Sequence, residues 1–325
     1  MAYVVQLSEG KLMSNQRILP RRQLLKWAGI GATALTVGMP LVVTPLSGLT
    51  AEGGSQTHPG EKAELLYGLC GRMTNARMLK DAGCDYIEEA VGGLLMPEKG
   101  DDEFAKRLPE ISASLLPITN CNGFLPATLK SVGPDFKLEA VLEYANIAFR
   151  RARMVGIKVI TYGSGGSRKI PDGFSKDEAK KQFIDVLKGM GPLAAAQGLK
   201  VSIEPLRAQE CNFLNNIREV GEVITAANHP NIGITADLYH MVLGGDVPDD
   251  LDRNIHLLHH FHIAEKEKRA LPGEAGDDFR GWFAVLAKHG WKGRMSIEGG
   301  GGKSDLAAYT KSFAYLRAQA KEAGI

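Results

Sequence analysis

The sequence predicts an α/β protein built as a (β/α)8 TIM barrel, and three observations predict it. From about Glu61 onward, short apolar runs alternate with amphipathic helical stretches. The eight apolar runs and the helical stretches that follow most of them occupy about 265 residues, near the ~250 typical of such a barrel. No glycine-rich nucleotide turn follows the first run, as a doubly wound sheet of this size would need.

In order, Leu65 to Leu69 predicts the first strand, and Ala76 to Ala82 a helix closed by Gly83. Tyr86 to Ala90 is the second strand and Ser114 to Ile118 the third. Leu138 to Val155 has helical periodicity and stops at Gly156. The β-branched run Ile157 to Tyr162 is the fourth strand. Ser175 caps a helix opening with Asp177 and Glu178, charges that suit a helix N-terminus; it runs to Gly198 with a break expected near Gly189–Pro192. Leu199 to Ile203 is the fifth strand, Asn216 to Ala227 a helix, and Ile232 to Ala236 the sixth strand. Asp249 to Leu258 is a helix, and Phe261 to Ala264 the seventh strand. Phe279 to His289, Arg294 to Ile297 and Asp305 to Ala323 complete the pattern as helix, eighth strand and last helix.

Hydrophobic residues at 44% and charged residues at 23% are ordinary for a soluble globular chain. The net charge of +2 is uneven. Residues 1–52 hold Lys11, Arg17, Arg21, Arg22 and Lys26 against Glu9 and Glu52, and the remaining 34 basic and 35 acidic side chains nearly cancel. A body without basic excess argues against nucleic acid as a partner. Cys70, Cys84, Cys121 and Cys211 show no CxxC spacing, which argues against a zinc–thiolate site and leaves buried thiols or one disulfide open.

Arg21-Arg22 before the apolar run Trp27 to Val43 has the layout of an export signal and resembles the twin-arginine type. Pro20 and Leu24 depart from that pattern. The expected organisation is an export signal (1–51), a Gly/Ser/Thr-rich linker (52–60) and the barrel (61–325). The expected location is the periplasm, reached through the twin-arginine machinery, with an uncleaved membrane anchor as the alternative. The run is short and interrupted for a span.

Five of the eight histidines (His240, His256, His259, His260 and His262) crowd one short window. Around it, Glu204, Asp237 and Glu298 each end a short apolar run. In a barrel, strand ends converge at the carboxyl face, so Glu204, Asp237, His262 and Glu298 predict one metal site. Three carboxylates and an imidazole suit Mn²⁺, Mg²⁺, Co²⁺ or Zn²⁺. His260 shares the face of His262. Glu88 and Glu89 end the second strand and are further candidates. The glycine-rich stretch Gly163 to Arg168 is a candidate anion cradle, whereas His256, His259 and His289 read as surface or packing residues.

These segments resemble the sugar phosphate isomerase/epimerase superfamily, the xylose isomerase-like barrels that include ketose 3-epimerases. The resemblance rests on Ile203-Glu204-Pro205-Leu206 with Glu210 and Phe213-Leu214-Asn215, on Thr235-Ala236-Asp237-Leu238-Tyr239-His240, and on His260-Phe261-His262-Ile263-Ala264-Glu265 with Arg269 and Pro272-Gly273. Gly293 to Glu298, and Gly163 to Arg168 with Pro171 to Phe174, extend it. It implies Glu204, Asp237, His262 and Glu298 as metal ligands, and Glu210, His240 and Arg269 as substrate contacts; His260 joins them by its shared face. Arg269 stands one residue later than that pattern has it, and Arg207 occupies a position where many relatives have Asn.

The activity so implied is proton transfer beside a carbonyl through an enediolate, with Glu204 and Glu298 on opposite sides of a sugar. An exported enzyme would meet a non-phosphorylated sugar. The alternatives are a 3-keto-glycoside lyase or hydratase on the same site, a phosphodiesterase on the same barrel, and a non-catalytic sugar-binding protein. A homo-oligomer is possible by analogy with relatives.

Overall fold

The apolar runs become strands because their alternate side chains have an apolar layer to enter. Leu69, Ile87, Cys121, Ile160, Ile203, Ala236, Phe261 and Ile297 are all buried, on the side of each strand that faces the helices. The computed structural model describes residues 65–302 and 305–325; the expected export signal and linker lie outside the described residues. The eight strands are β1 (Leu66–Cys70), β2 (Tyr86–Ala90), β3 (Ile118–Asn122), β4 (Val159–Tyr162), β5 (Lys200–Ile203), β6 (Ile232–Asp237), β7 (Leu258–Ile263) and β8 (Arg294–Ile297). All are parallel, each pairs with its successor, and β8 returns to β1, closing the predicted barrel.

Helices Leu138–Val155, Lys176–Gln197, Ile217–Ala227, Arg280–Lys288 and Leu306–Glu322 follow the expected places. Their starts are chemically marked: the Ser175, Asn216 and Asp305 side chains accept from the Glu178, Glu219 and Ala308 N–H groups.

Three expectations need correction, and one helix is added. β3 begins at Ile118, where the predicted third strand ended. Pro117 precedes it and contributes only its carbonyl, which accepts from Ile87 N at 2.9 Å. The helix Lys176–Gln197 is continuous through Pro192. Its glycines serve packing rather than a break, since a Cβ on Gly189 would lie 2.6 Å from the Leu142 side chain of the neighbouring helix. β7 starts at Leu258, three residues early, because Thr235 pairs with His260 across a register shift. A helix not anticipated, Leu238–Gly244, begins directly at the end of β6 with Asp237 as its cap.

The barrel interior is polar. Thr161, Ser202, Thr235, Asn120, Glu88, His260 and Ser296 are fully or almost fully buried. They bond to one another across it, as in Thr161 Oγ1 to Thr235 Oγ1 at 3.1 Å and Thr235 Oγ1 to Ser202 Oγ at 2.6 Å. Burial of such groups is tolerable only because they are paired. The Tyr86 ring reaches from β2 over Gly68 of β1 toward Ser296 of β8; a Cβ on Gly68 would sit 2.4 Å from ring carbons. Gly68→Ala is therefore expected to destabilise the fold by ~1–3 kcal/mol through overpacking, measured as a lower urea midpoint. An unchanged midpoint would show that the ring yields freely.

Candidate metal centre and active site

Strand register places the site. Asp237 is level with His262, and His262 with Ser296. Glu204 and Glu298 each follow the last residue of their strand, with Glu298 N donating to Ile263 O at 3.1 Å. One ligand atom from each of Glu204, Asp237, His262 and Glu298 lies within 4.8 Å of all the others. His262 Nδ1 is 3.0 Å from Glu204 Oε1, 3.0 Å from Glu298 Oε2 and 3.8 Å from Asp237 Oδ2. Asp237 and His262 are fully buried, whereas the Glu298 side chain is 25% exposed and opens the cluster to solvent. Gly163 gives room: a Cβ there would stand 2.1 Å from Glu204 Oε2.

The electrostatics are those of a site short of positive charge. Burial pushes the Glu204 carboxyl up to about 8, and the Glu298 and Asp237 charges push the same way. Burial opposes ionisation of Asp237 too, but His240, His262 and Arg269 outweigh it and hold this carboxyl well below the usual range. His262 is lifted well above an ordinary histidine, because the Glu88 and Glu298 carboxylates outweigh the effect of burial. Three converging carboxylates and an imidazole, one carboxyl already driven toward its neutral form, fit a hard or borderline divalent cation.

The substrate-contact candidates gather around this set. Arg269 Nη2 donates to Glu298 Oε2 at 2.7 Å and Asp237 Oδ2 at 3.3 Å. The extra residue before Arg269 is absorbed in a tight turn, with Lys268 and Arg269 both in the left-handed region. His240 is buried, its Nε2 3.9 Å from Asp237 Oδ2 and 4.0 Å from Glu210 Oε2. Glu210 accepts from Arg207 Nε at 2.7 Å. The guanidiniums of Arg207 and Arg269 lie over the Tyr239 ring, at 5.1 and 4.9 Å from its centroid.

Other candidates fall elsewhere. His260 has both ring nitrogens engaged, by Asn120 and Glu88, and is not brought to the mouth. Glu88 faces inward and bonds His260 and His262, whereas Glu89 points the opposite way and accepts from Met73 N. Within the stretch Gly163 to Arg168, Gly165–Arg168 forms a turn of helix in which the Ser167 and Arg168 N–H groups reach Ser164 O and that of Lys169 reaches Gly165 O. Arg168 is buried and donates to the Glu204 carbonyl at 2.6 Å, so this loop braces the end of β5. His256 and His259 sit at the start of β7 or just before it, and His289 bonds Asp252 near the surface. The four cysteines are free thiols.

Three contributors escaped the sequence reading. Asn122 at the end of β3 donates to Glu298 Oε1 at 3.1 Å; placing that strand four residues later would have exposed it as a strand-end polar group. Cys70 Sγ, at the end of β1, lies 3.8 Å from His262 Nε2. Glu265 is fully buried and accepts backbone N–H bonds from Gly273, Ala275, Gly276 and Asp277, which secures the loop carrying Arg269.

The family profile described as "Xylose isomerase-like TIM barrel" matches residues 76–319, and the chain belongs to that family. It is 26% identical over 252 residues to 3-dehydro-D-guloside 4-epimerase of Escherichia coli K12, covering 74% of this chain and 92% of the relative. Among solved structures, the apo form of an E. coli 3-keto-D-glucoside 4-epimerase superposes with a TM-score of 0.66 at 24% identity, over 78% of this chain and all of that one. A D-psicose 3-epimerase determined in the presence of D-fructose superposes with a TM-score of 0.68 at 18% identity, over 79% and 99%. Both are likenesses of fold. Among the described residues, no helix is long and apolar enough to cross a membrane.

Two outcomes are expected. Glu265→Gln weakens bonds to a charged acceptor, so amide exchange at Gly273, Gly276 and Asp277 should quicken about tenfold or more, read by hydrogen–deuterium exchange; unaltered protection would remove Glu265 as the anchor. Cation binding must displace the protons held by Glu204, whose carboxyl is pushed up to about 8, and by His262. Apparent Mn²⁺ affinity in titration calorimetry should then rise between pH 6 and 8, by roughly tenfold per unit for each proton released. A flat profile contradicts the charge balance described.

Proposed function

We propose that this member of the xylose isomerase-like TIM barrel family is a divalent-metal-dependent sugar epimerase or isomerase acting on a non-phosphorylated sugar. One observation carries the reading: Glu204 and Glu298 approach His262 Nδ1 from two different strands, each at 3.0 Å, at the open end of the barrel. Glu204, Asp237, His262 and Glu298 would hold the ion, for which Mn²⁺, Mg²⁺ and Co²⁺ are the first candidates and Zn²⁺ a further one. When bound, it supplies Lewis acidity that stabilises negative charge on an enediolate.

The side chains supply the rest. Two carboxylates flanking a sugar can take a proton from one face and return it on the other, which is epimerisation; return to the neighbouring carbon is isomerisation. A carboxyl pushed up to about 8, as at Glu204, is suited to both roles near neutral pH. Asn122 and Arg269 hold Glu298 in place. His240 and Glu210 are positioned to orient hydroxyls. The preference for a sugar without phosphate is supported by the export-like segment at Arg21-Arg22, because phosphorylated sugars are mostly cytoplasmic. The twin-arginine-like segment at Arg21-Arg22 supports the periplasm as the place of action, reached through that export machinery.

The name of the E. coli relative, a 3-dehydro-glycoside 4-epimerase, points to a 3-keto-glycoside as the substrate class, and on such a substrate a lyase or hydratase is the second reading. Taking a proton beside such a ketone allows the group one carbon further to depart. Proton NMR in D₂O with Mg²⁺, against free ketoses, aldoses and 3-keto-glucosides, separates these readings. The expected result is metal-dependent loss of one C–H signal, absent in Asp237→Ala and slowed ~10²–10⁴-fold in Glu204→Gln and Glu298→Gln. Loss of an aglycone instead establishes the lyase. Bound metal and bound sugar without exchange establish a binding protein, and undiminished exchange in both Gln variants overturns the assignment of the two carboxylates.

A further inference from the structure

Beneath the four converging side chains lies a second, closed set of contacts that the proposed reaction does not use. Glu88 is fully buried at the centre of it. Its Oε1 lies 3.0 Å from His262 Nε2, and its Oε2 lies 2.7 Å from His260 Nε2. Ser296 Oγ donates to the same Oε2 at 2.7 Å and is itself 2.8 Å from the Tyr86 hydroxyl. On the far side of His260, Asn120 Nδ2 stands 3.1 Å from Nδ1, while Asn120 Oδ1 accepts from Thr119 Oγ1 at 3.0 Å.

Proton positions along this chain follow from donor and acceptor chemistry. An amide NH₂ can only donate, so His260 Nδ1 accepts and its proton sits on Nε2, facing Glu88. A carboxylate can only accept, so His262 also presents an Nε2 proton to Glu88. His262 Nδ1, which faces Glu204, Asp237 and Glu298, is thereby the nitrogen whose lone pair becomes available to a cation when its proton is displaced.

We propose that Glu88 is the positioning residue of the metal centre. It fixes the tautomer and ring orientation of His262, with His260 and Ser296 holding Glu88 in turn. The proposal rests on the metal site of the preceding reading and extends it to a carboxylate that touches neither ion nor sugar. Outer partners of this kind commonly govern metal affinity by 10- to 100-fold.

The test is Mn²⁺ binding by titration calorimetry on the wild type, Glu88→Gln, Ser296→Ala and Glu89→Gln. Glu88→Gln is expected to bind 10- to 100-fold more weakly, Ser296→Ala severalfold more weakly, and Glu89→Gln as the wild type does. Long-range ¹H–¹⁵N correlations of the Zn²⁺-loaded, histidine-labelled protein are expected to place the proton on Nε2 of both His260 and His262, and the His262 Nε2 signal should shift in Glu88→Gln. Wild-type affinity in a folded Glu88→Gln, or an Nδ1 proton on wild-type His260, overturns the proposal. If Glu88→Gln does not fold, Ser296→Ala decides, and unchanged affinity there overturns it. Absence of Mn²⁺ binding by the wild type overturns the metal reading itself and this inference with it.

Discussion

Four carboxylates share one imidazole in this barrel. Glu88 approaches His262 from below through Nε2, and Glu204, Asp237 and Glu298 surround Nδ1. Like charges at such spacing, removed from water, repel strongly and pay a desolvation cost as well. What surrounds them answers that problem. Arg269 spans Asp237 and Glu298, the Leu238–Gly244 helix offers the His240 N–H to Asp237 Oδ1 at 3.1 Å, and Ser296 and His260 satisfy Glu88. The remaining deficit of positive charge gathers at Glu204, the carboxyl driven furthest toward neutrality, and makes a divalent cation the fitting occupant.

The scaffold around this cluster is specialised to hold it still. A usual TIM barrel fills its interior with layers of branched apolar side chains. Here the layer below the site is made of hydroxyls, an amide and imidazoles bonded across the barrel. Directional bonds in a closed space fix ring orientations in a way that apolar packing does not. The loop after β7 obeys the same logic: Glu265 gathers its backbone N–H groups, and the two left-handed residues at 268 and 269 turn the Arg269 side chain back over the ligands. Strain in that turn is offset by the ion pairs it makes possible.

The sequence alone revealed the parts whose signal is local. Eight apolar runs, most helix starts and the carboxylates at the ends of β5, β6 and β8 were legible because hydrophobic periodicity and capping chemistry act over a few residues. β3 was misplaced for the same reason. Its strand, Ile118-Thr119-Asn120-Cys121-Asn122, is polar at the positions that bond His260 and Glu298, and the more apolar Ser114 to Ile118 looked the better strand. A polar barrel interior leaves no apolar alternation to mark such a strand. The break expected near Pro192 failed because tight packing against Leu142 uses glycine without ending the helix.

The sequence by itself thus determined the barrel and the four residues proposed to hold the ion, since these depend on which residue types end which strands. Only the tertiary structure decided how those residues are served. Glu88 meets His260 across 172 residues, Ser296 meets Glu88 across 208, and Asn122 meets Glu298 across 176. It also separated Glu88 from Glu89 and took His260 from the mouth into the floor. Contacts of such separation are set by barrel closure and strand register, which follow from the packing of the whole chain and leave no mark in any local stretch of it.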